Sequence, residues 1–259
     1  MNLLEIHNLT KHFGGVKAVD GVSFAVNPGE IIGLIGPNGA GKTTCFNLIS
    51  GLIPPTSGGV SLQGKNLGGL APYYRARRGL ARTFQNIQLF GGMDVLENVL
   101  TGCHQRQEVG ALRALWPGPG IRRAEGRAAA RALEFLELVG LADKADVPAD
   151  ALAYGEQRRL EIARALAQEP RLLLLDEPAA GLNSRETEDL MTLLQELRER
   201  GITLLIIEHD MTLIMGLCHR VVVLDHGQVI AAGPPSEIRR DPRVIEAYLG
   251  REEDDGDLR

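Results

Sequence analysis

Gly36-Pro37-Asn38-Gly39-Ala40-Gly41-Lys42-Thr43 follows the short apolar run Ile31 to Ile35 and leads into a helix-favouring stretch, Thr43 to Ile49. Nothing else in the chain restricts its fold as strongly, because a phosphate loop requires a strand, a Gly-rich turn and a helix in that order. The glycines let backbone N–H groups approach phosphate oxygens without an intervening Cβ. Lys42 supplies a point charge for the β- and γ-phosphates, and the Thr43 hydroxyl suits Mg²⁺. The start of the helix adds about half a positive charge. Gly36, Pro37, Asn38, Gly39, Ala40, Gly41, Lys42, Thr43 and the adjoining Thr44 are therefore the expected nucleotide contacts.

The rest of the chain places this loop in an α/β core. Leu3 to Ile6 and Val22 to Val26 read as strands ahead of it, with a strand pair around Val60 to Leu62 and a basic helix near Tyr73 to Arg78 after it. From Asp94 to Val139 the composition turns to Ala, Leu, Glu and Arg, which favours helix. Trp116-Pro117-Gly118-Pro119-Gly120 is expected to break that stretch as a loop, either a plain surface loop or a contact with a membrane or membrane protein. Strand and helix then alternate: strand Leu172 to Leu175, helix Glu186 to Arg200, strand Ile202 to Ile207 and a helix from near Met211. Such alternation implies parallel sheet connections. Val221 to Leu224 and Val229 to Ala232 read as a hairpin, and Arg251 to Arg259 as a loose charged tail.

Composition narrows the function. A net charge of -5 argues against a general nucleic-acid binder, while leaving room for a local basic patch. The 3 cysteines, Cys45, Cys103 and Cys218, are far apart and lack metal-ligand spacing, so they read as buried or free thiols in a reducing cytosol. The N-terminus has no basic start followed by a long apolar region, so no secretory signal is expected. The longest apolar runs fall short of the ~20 residues of a membrane helix. A membrane role would have to come through a partner.

Leu172-Leu173-Leu174-Leu175-Asp176-Glu177 is a buried-strand run ending in two acids. Alone, such a pair is solvated charge; downstream of a phosphate loop, Asp176 reads as a Mg²⁺ ligand, direct or through water, and Glu177 as the base that takes a proton from attacking water. Phe13 reads either as a stacking platform for adenine or as core packing. Gln85 alone is ordinary loop chemistry, and His209 alone an ordinary residue at a strand end.

Leu152-Ala153-Tyr154-Gly155-Glu156-Gln157-Arg158-Arg159-Leu160, just upstream of the acidic pair, resembles the signature segment of ABC ATPases. Together with Phe13, the loop from Gly36 to Thr43, Gln85, Asp176-Glu177, Ala179-Ala180-Gly181-Leu182-Asn183 and His209, it resembles the ATP-binding subunit of an ABC transporter. Finer details, including Arg82-Thr83-Phe84-Gln85, Glu208-His209-Asp210-Met211 and Ala247-Tyr248-Leu249-Gly250, look like the branched-chain amino acid importer ATPases. The resemblance implies a RecA-like P-loop core with an antiparallel β subdomain and an α-helical insertion subdomain. The implied boundaries are 1–88 for the first part of the core, 89–160 for the helical part, 161–250 for the rest of the core and 251–259 for the tail.

It also implies roles that the residues alone do not. Gln85 would contact Mg²⁺ or the hydrolytic water, and His209 would touch the γ-phosphate. Ala153, Gly155 and Glu156 would meet ATP bound to a second ATP-binding subunit. Lys42, Glu177 and His209 form the implied catalytic set, Thr43, Gln85 and Asp176 the metal set, with ATP and Mg²⁺ as cofactors. Implied partners are integral-membrane permease subunits, a like or homologous ATPase and, indirectly, a substrate-binding protein, at the cytoplasmic membrane face. Ala153 replaces the usual signature serine and Asn183 the usual aspartate, so backbone donors at the helix start would carry the signature's contact.

Other readings are uptake of urea or amides, and lipopolysaccharide export, whose cassettes lack this combination of motifs. A soluble ABC machine in DNA repair would need a long coiled-coil insertion, absent between Gln85 and Leu152, and one in translation usually carries two cassettes. A nonhydrolytic scaffold is disfavoured by intact Lys42, Asp176, Glu177 and His209.

Overall fold

The computed structural model describes residues 2–103 and 119–249. In chain order, the strands and helices ahead of the insertion are β1 (Leu4–Phe13), β2 (Val16–Val26), β3 (Ile31–Ile35), α1 (Lys42–Ser50), β4 (Ser57–Leu62), β5 (Lys65–Asn66), α2 (Pro72–Arg77) and β6 (Leu80–Arg82). Then come α3 (Val95–Cys103), α4 (Pro119–Leu138), α5 (Tyr154–Leu166), β7 (Leu172–Asp176), α6 (Ser184–Glu199), β8 (Thr203–Ile207), α7 (Met211–Leu217), β9 (Arg220–Asp225), β10 (Gln228–Gly233), α8 (Pro235–Ile238) and α9 (Pro242–Leu249).

The central sheet has the order β10-β9-β3-β8-β7-β6, parallel except for the terminal β9–β10 hairpin. Its inner strands are continuous apolar runs because both faces are covered. Side chains alternate between them: Leu34, Leu174 and Leu205 join a core with α1 and the antiparallel sheet β2-β1-β4-β5, while Ile35, Leu173 and Leu204 join the core beneath α5, α6 and α7. Helices α3, α4 and α5 pack on one another and share the second core through Val99, Ala132, Leu136 and Leu160. The α/β core, antiparallel β subdomain and helical region match the expected fold class.

Several expectations need correction. β1 and β2 extend far beyond Leu3 to Ile6 and Val22 to Val26, meeting in a hairpin whose last pair is Phe13 with Val16. Register shifts along β1 interrupt the alternation that would have revealed its length. Strand β6 was not expected, nor were α8 and α9. Pro119 and Gly120 are the first residues of α4, where a leading Pro is tolerated because its N–H would lack an intrahelical partner. Trp116, Pro117 and Gly118, like Arg251 to Arg259, lie outside the described residues.

This topology positions the site. The phosphate loop after β3, the segment after β6, the acids at the end of β7 and His209 after β8 all leave the carboxyl edges of neighbouring strands. A crevice at that edge is where open α/β sheets collect ligands.

Candidate functional site

The loop's sterics explain two of its glycines. A Cβ on Gly36 would stand 2.0 Å from the Leu224 carbonyl oxygen, and one on Gly41 would stand 2.3 Å from that of Ala18, with φ of +148° and +98° at the two positions. Gly41 also occupies the N-cap of α1 and offers no side-chain acceptor, and the first turn has no acid. The N–H groups there thus keep an anion-attracting end. Lys42 is buried and Nζ donates to Gly36 O at 2.7 Å and Pro37 O at 3.0 Å, folding the ammonium back over the cradle. The phenol of Tyr248 on α9 is pushed up by burial while it hydrogen-bonds the Gly36 backbone.

Glu177 is the point of convergence. Its backbone is left-handed, with φ 49°, and its N–H donates to Ile207 O at 2.9 Å, which turns the side chain out from the end of β7. Gln85 Nε2 donates to Glu177 Oε2 at 2.9 Å, and His209 Nε2 lies 2.9 Å from Glu177 Oε1. One carboxylate is thus held from both sides by two residues that the sequence separates widely. His209 is fixed in turn by Glu208, which is 4% exposed: one oxygen accepts from Ala179 N at 2.7 Å and the other from His209 N at 2.9 Å.

Asp176, 2% exposed, accepts from Arg82 Nη2 through Oδ2 at 2.8 Å; Oδ1 accepts no hydrogen bond from the described residues. Among the described residues no three His, Cys, Asp or Glu side chains gather as a metal nest. The carboxylate of Asp176, the hydroxyl of Thr43 and the amide oxygen of Gln85 make an all-oxygen donor set. It fits Mg²⁺, which usually keeps waters and substrate phosphates as its remaining ligands.

The segment before Gln85 is clamped to α5. Arg158, 1% exposed, donates to Phe84 O at 3.0 Å, Gln85 O at 3.0 Å, Glu161 Oε2 at 3.2 Å and the Tyr154 hydroxyl at 3.2 Å. Glu161 accepts the Phe84 N–H at 3.2 Å, and burial pushes its carboxyl above the usual range. Beside this clamp lies a groove of about 400 Å³ lined by Phe84, Leu89, Phe90, Thr101, Arg164 and Gln168, among others.

The signature residues lie at the start of α5. Ala153 is the N-cap of α5; Glu156 reaches back to Ala153 N at 3.3 Å and pairs with Lys144, which holds its carboxyl below the usual range. The Glu156 carboxylate is thus engaged locally. Gly155 packs so tightly that a Cβ would meet Glu186 Oε1 at 2.6 Å. Asn183 caps α6, accepting from Glu186 N at 3.0 Å while Glu186 accepts from Asn183 N at 2.9 Å. Asn and Asp cap helices about equally well, so this exchange keeps the local structure. Phe13 sits at the tip of the β1–β2 hairpin, 50% exposed rather than packed in the core, with Lys11 Nζ 5.2 Å from its ring centroid. All three cysteines are free and buried, and burial pushes Cys45 and Cys218 up to about 12.

Sequence reasoning passed over Glu161, and saw Arg82, Arg158 and Glu208 only as members of motifs. Their signal was weak: charged residues in runs that also carry a named functional residue.

A parallel sheet that presents a phosphate loop, a carboxylate pair, a glutamine and a histidine at one edge, with a helical subdomain bearing a second glycine segment, defines an ATP-binding cassette. Residues 19–180 match the ABC transporter family, and residues 228–254 match the branched-chain amino acid ATP-binding cassette transporter family. The chain is 48% identical to the high-affinity branched-chain amino acid transport ATP-binding protein LivG of Salmonella typhimurium over 96% of its own length and 98% of the relative's. It is 47% identical to BraF of Pseudomonas aeruginosa over the same shares, and 35% identical to the lipopolysaccharide export ATP-binding protein LptB of Haemophilus influenzae over 97% and 99%. A solved ATP-binding cassette of an ABC transporter in its ADP conformation superposes with a TM-score of 0.85 at 34% identity, covering 96% of this chain and 99% of that one. The chain belongs to the ABC transporter family, in the branch of branched-chain amino acid transport ATP-binding proteins, and is an ABC transporter ATPase. Among the described residues no helix is long and apolar enough to cross a membrane.

Proposed function

We propose that the chain is the motor subunit of an importer for branched-chain or chemically similar amino acids, acting at the cytoplasmic face of the membrane. The observation that carries the mechanism is the Glu177 carboxylate held at 2.9 Å by both Gln85 and His209. In this reading ATP lies on the loop from Gly36 to Thr43, with adenine against Phe13. Thr43, Asp176 and Gln85 would hold Mg²⁺, which would supply neutralisation of the phosphate charge. Glu177 takes the proton of the attacking water, and His209 orients the γ-phosphate side of the site.

The site is half of a pair. ATP on one subunit is covered by Ala153, Gly155 and Glu156 of a second ATP-binding subunit; the Ala153 to Glu156 segment lies on a different part of the chain from the phosphate loop. A solved cassette described as a dimeric post-hydrolysis state with ADP and phosphate resembles this chain with a TM-score of 0.75 at 29% identity, over 90% of this chain and 98% of that one. Helices α3, α4 and α5 move as the helical body, and the groove beside Phe84 and Phe90 receives a permease segment. Occupancy there reaches Glu177 because Arg158 holds the backbone of Phe84 and Gln85. A substrate-binding protein acts indirectly, through the permease.

The amino-acid reading is favoured over lipopolysaccharide export by the higher identity to LivG and BraF, and by the match of the C-terminal segment. The test is copurification with permease subunits from solubilised membranes, followed by reconstituted uptake of leucine, urea and short amides. ATP turnover should respond to a leucine-loaded binding protein. Stimulation by a urea-loaded protein instead would overturn the substrate.

A further inference from the structure

Arg82 has no role in the mechanism above, yet both of its terminal nitrogens donate hydrogen bonds, while its buried Nε has no partner among the described residues. It ends β6 just upstream of Gln85, and its side chain is 7% exposed. Nη2 donates to Asp176 Oδ2 at 2.8 Å, while Nη1 donates to Asn47 Oδ1 at 2.8 Å and Ser50 Oγ at 2.9 Å, both on α1. The guanidinium carbon lies 5.3 Å from the ring centroid of Phe84 and 5.6 Å from that of Phe46. Phe84 is 38% exposed and lines the groove, whereas Phe46 is fully buried on α1. One cation therefore joins the helix behind the phosphate loop, the acid at the end of β7 and an aromatic facing the groove.

We propose that Arg82 is a positioning residue: it fixes Asp176 by Oδ2 so that Oδ1 is presented to Mg²⁺ or its water, and Phe84 transmits to it whether the groove is filled. The terminal torsion of an aspartate is broad, so without a fixed partner its two oxygens exchange places readily. A planar guanidinium can hold the carboxylate, the amide oxygen and the hydroxyl at once. A lysine ammonium keeps the charge and loses that fork. The phenyl ring of Phe84 lies against the same guanidinium, so a body seated in the groove and pressing on that ring moves the group that orients Asp176. The groove's occupant rests on the importer reading; the link between Arg82 and Asp176 does not.

The experiment measures binding of a fluorescent N-methylanthraniloyl ATP to the purified full chain, first in EDTA and then through a MgCl₂ titration. With Arg82→Lys, metal-free affinity should stay within about twofold of the parent, while the Mg²⁺ midpoint rises about tenfold, the loss of about one charge-assisted contact. With Phe84→Leu alone the midpoint should rise about threefold, and in the Arg82→Lys background it should rise no further, because both act through one group. A purely structural role would lower thermal stability or nucleotide affinity in both conditions and leave the midpoint in place. An unmoved midpoint in Arg82→Lys, with metal-free binding intact, overturns the positioning role. Additive shifts in the double variant overturn the route through Phe84. Should Arg82→Lys not fold, as judged by thermal unfolding, Phe84→Leu carries the test, and an unmoved midpoint there overturns the proposal. No permease is present in this assay, so its failure is separate from any failure of reconstituted uptake.

Discussion

Replacing Arg158 with methionine keeps the approximate volume of the side chain and removes its charge and every hydrogen bond it donates. Glu161 would then stand 1% exposed with the Phe84 N–H as its remaining hydrogen-bond donor and Arg164 as the cation still acting on it. The carbonyls of Phe84 and Gln85 would lose their guanidinium donor as well. Breaking a buried ion pair by removing one partner costs about 3–5 kcal/mol, much of it the penalty of the stranded charge. The double variant Arg158→Met/Glu161→Gln removes that charge and keeps an acceptor for Phe84, so it should recover roughly half of the loss. The pH dependence has a definite sign. Burial already holds Glu161 above its ordinary value of 4.5 in the folded protein, and loss of the arginine raises it further. A raised folded-state pKa gives stability at low pH that is lost as pH rises through it. The deficit of Arg158→Met should therefore be smaller at pH 5 than at pH 8, and this difference should vanish in the double variant. Urea unfolding followed by far-ultraviolet circular dichroism measures both. Equal stability of the single and double variants at both pH values would refute the reasoning.

Ala153→Ser would place a hydroxyl where α5 lacks a side-chain cap and where Glu156 already supplies the reciprocal half of the box. It should raise stability by about 1 kcal/mol, seen as a higher melting temperature, with ATP turnover retained. Gly155→Asp would drive a side chain into Glu186, which is locked to Asn183, and set a second carboxylate beside the first. ATP-induced dimerisation, measured by size-exclusion chromatography in a Glu177→Gln background, should be lost, and an undiminished dimer would contradict the packing. Lys144 holds the Glu156 carboxyl below its ordinary value of 4.5, so the pair contributes stability above that value and loses it as pH falls through the lowered one. The destabilisation by Glu156→Gln should accordingly fade on acidification in urea titrations from pH 7 to pH 3.

Much of this architecture was legible because its signals are local. The loop from Gly36 to Thr43 announces its own strand and helix, and Leu172 to Asp176 is long and apolar enough to identify a strand buried on both faces. Strand β6 was hidden because Leu80–Arg82 is too short to show a period; it is extended only because Leu80 pairs with Leu172 in the parallel sheet. Helices α8 and α9 each begin with a proline at their first position, a start signal that was present and unused. The loop expected at Pro119 and Gly120 failed for the same reason: proline and glycine punctuate chains, but a proline can also open a helix. In the site, residues with an expected role were found, and those that hold them were named only as motif members or, for Glu161, not at all. Arg82, Arg158, Glu161 and Glu208 acquire meaning only when distant strands meet, since nothing along the chain pairs position 82 with 176 or 158 with 84. Glu156 shows the reverse: the motif suggested a contact to a second molecule, and the structure adds a local task as ion-pair partner, as it gives Asn183 that of a helix cap.

The central claim is that Glu177, held between Gln85 and His209, is the base that drives ATP hydrolysis. Single-turnover hydrolysis by Glu177→Gln, with ATP affinity measured in parallel, tests it most directly. Glutamine keeps the size and most of the hydrogen bonding while losing the basic oxygen. The expected result is unchanged ATP affinity, phosphate release slowed by about 10²–10⁴-fold, and an ATP-bound dimer that accumulates. Phosphate release near the parent rate, with ATP bound normally, would contradict the account.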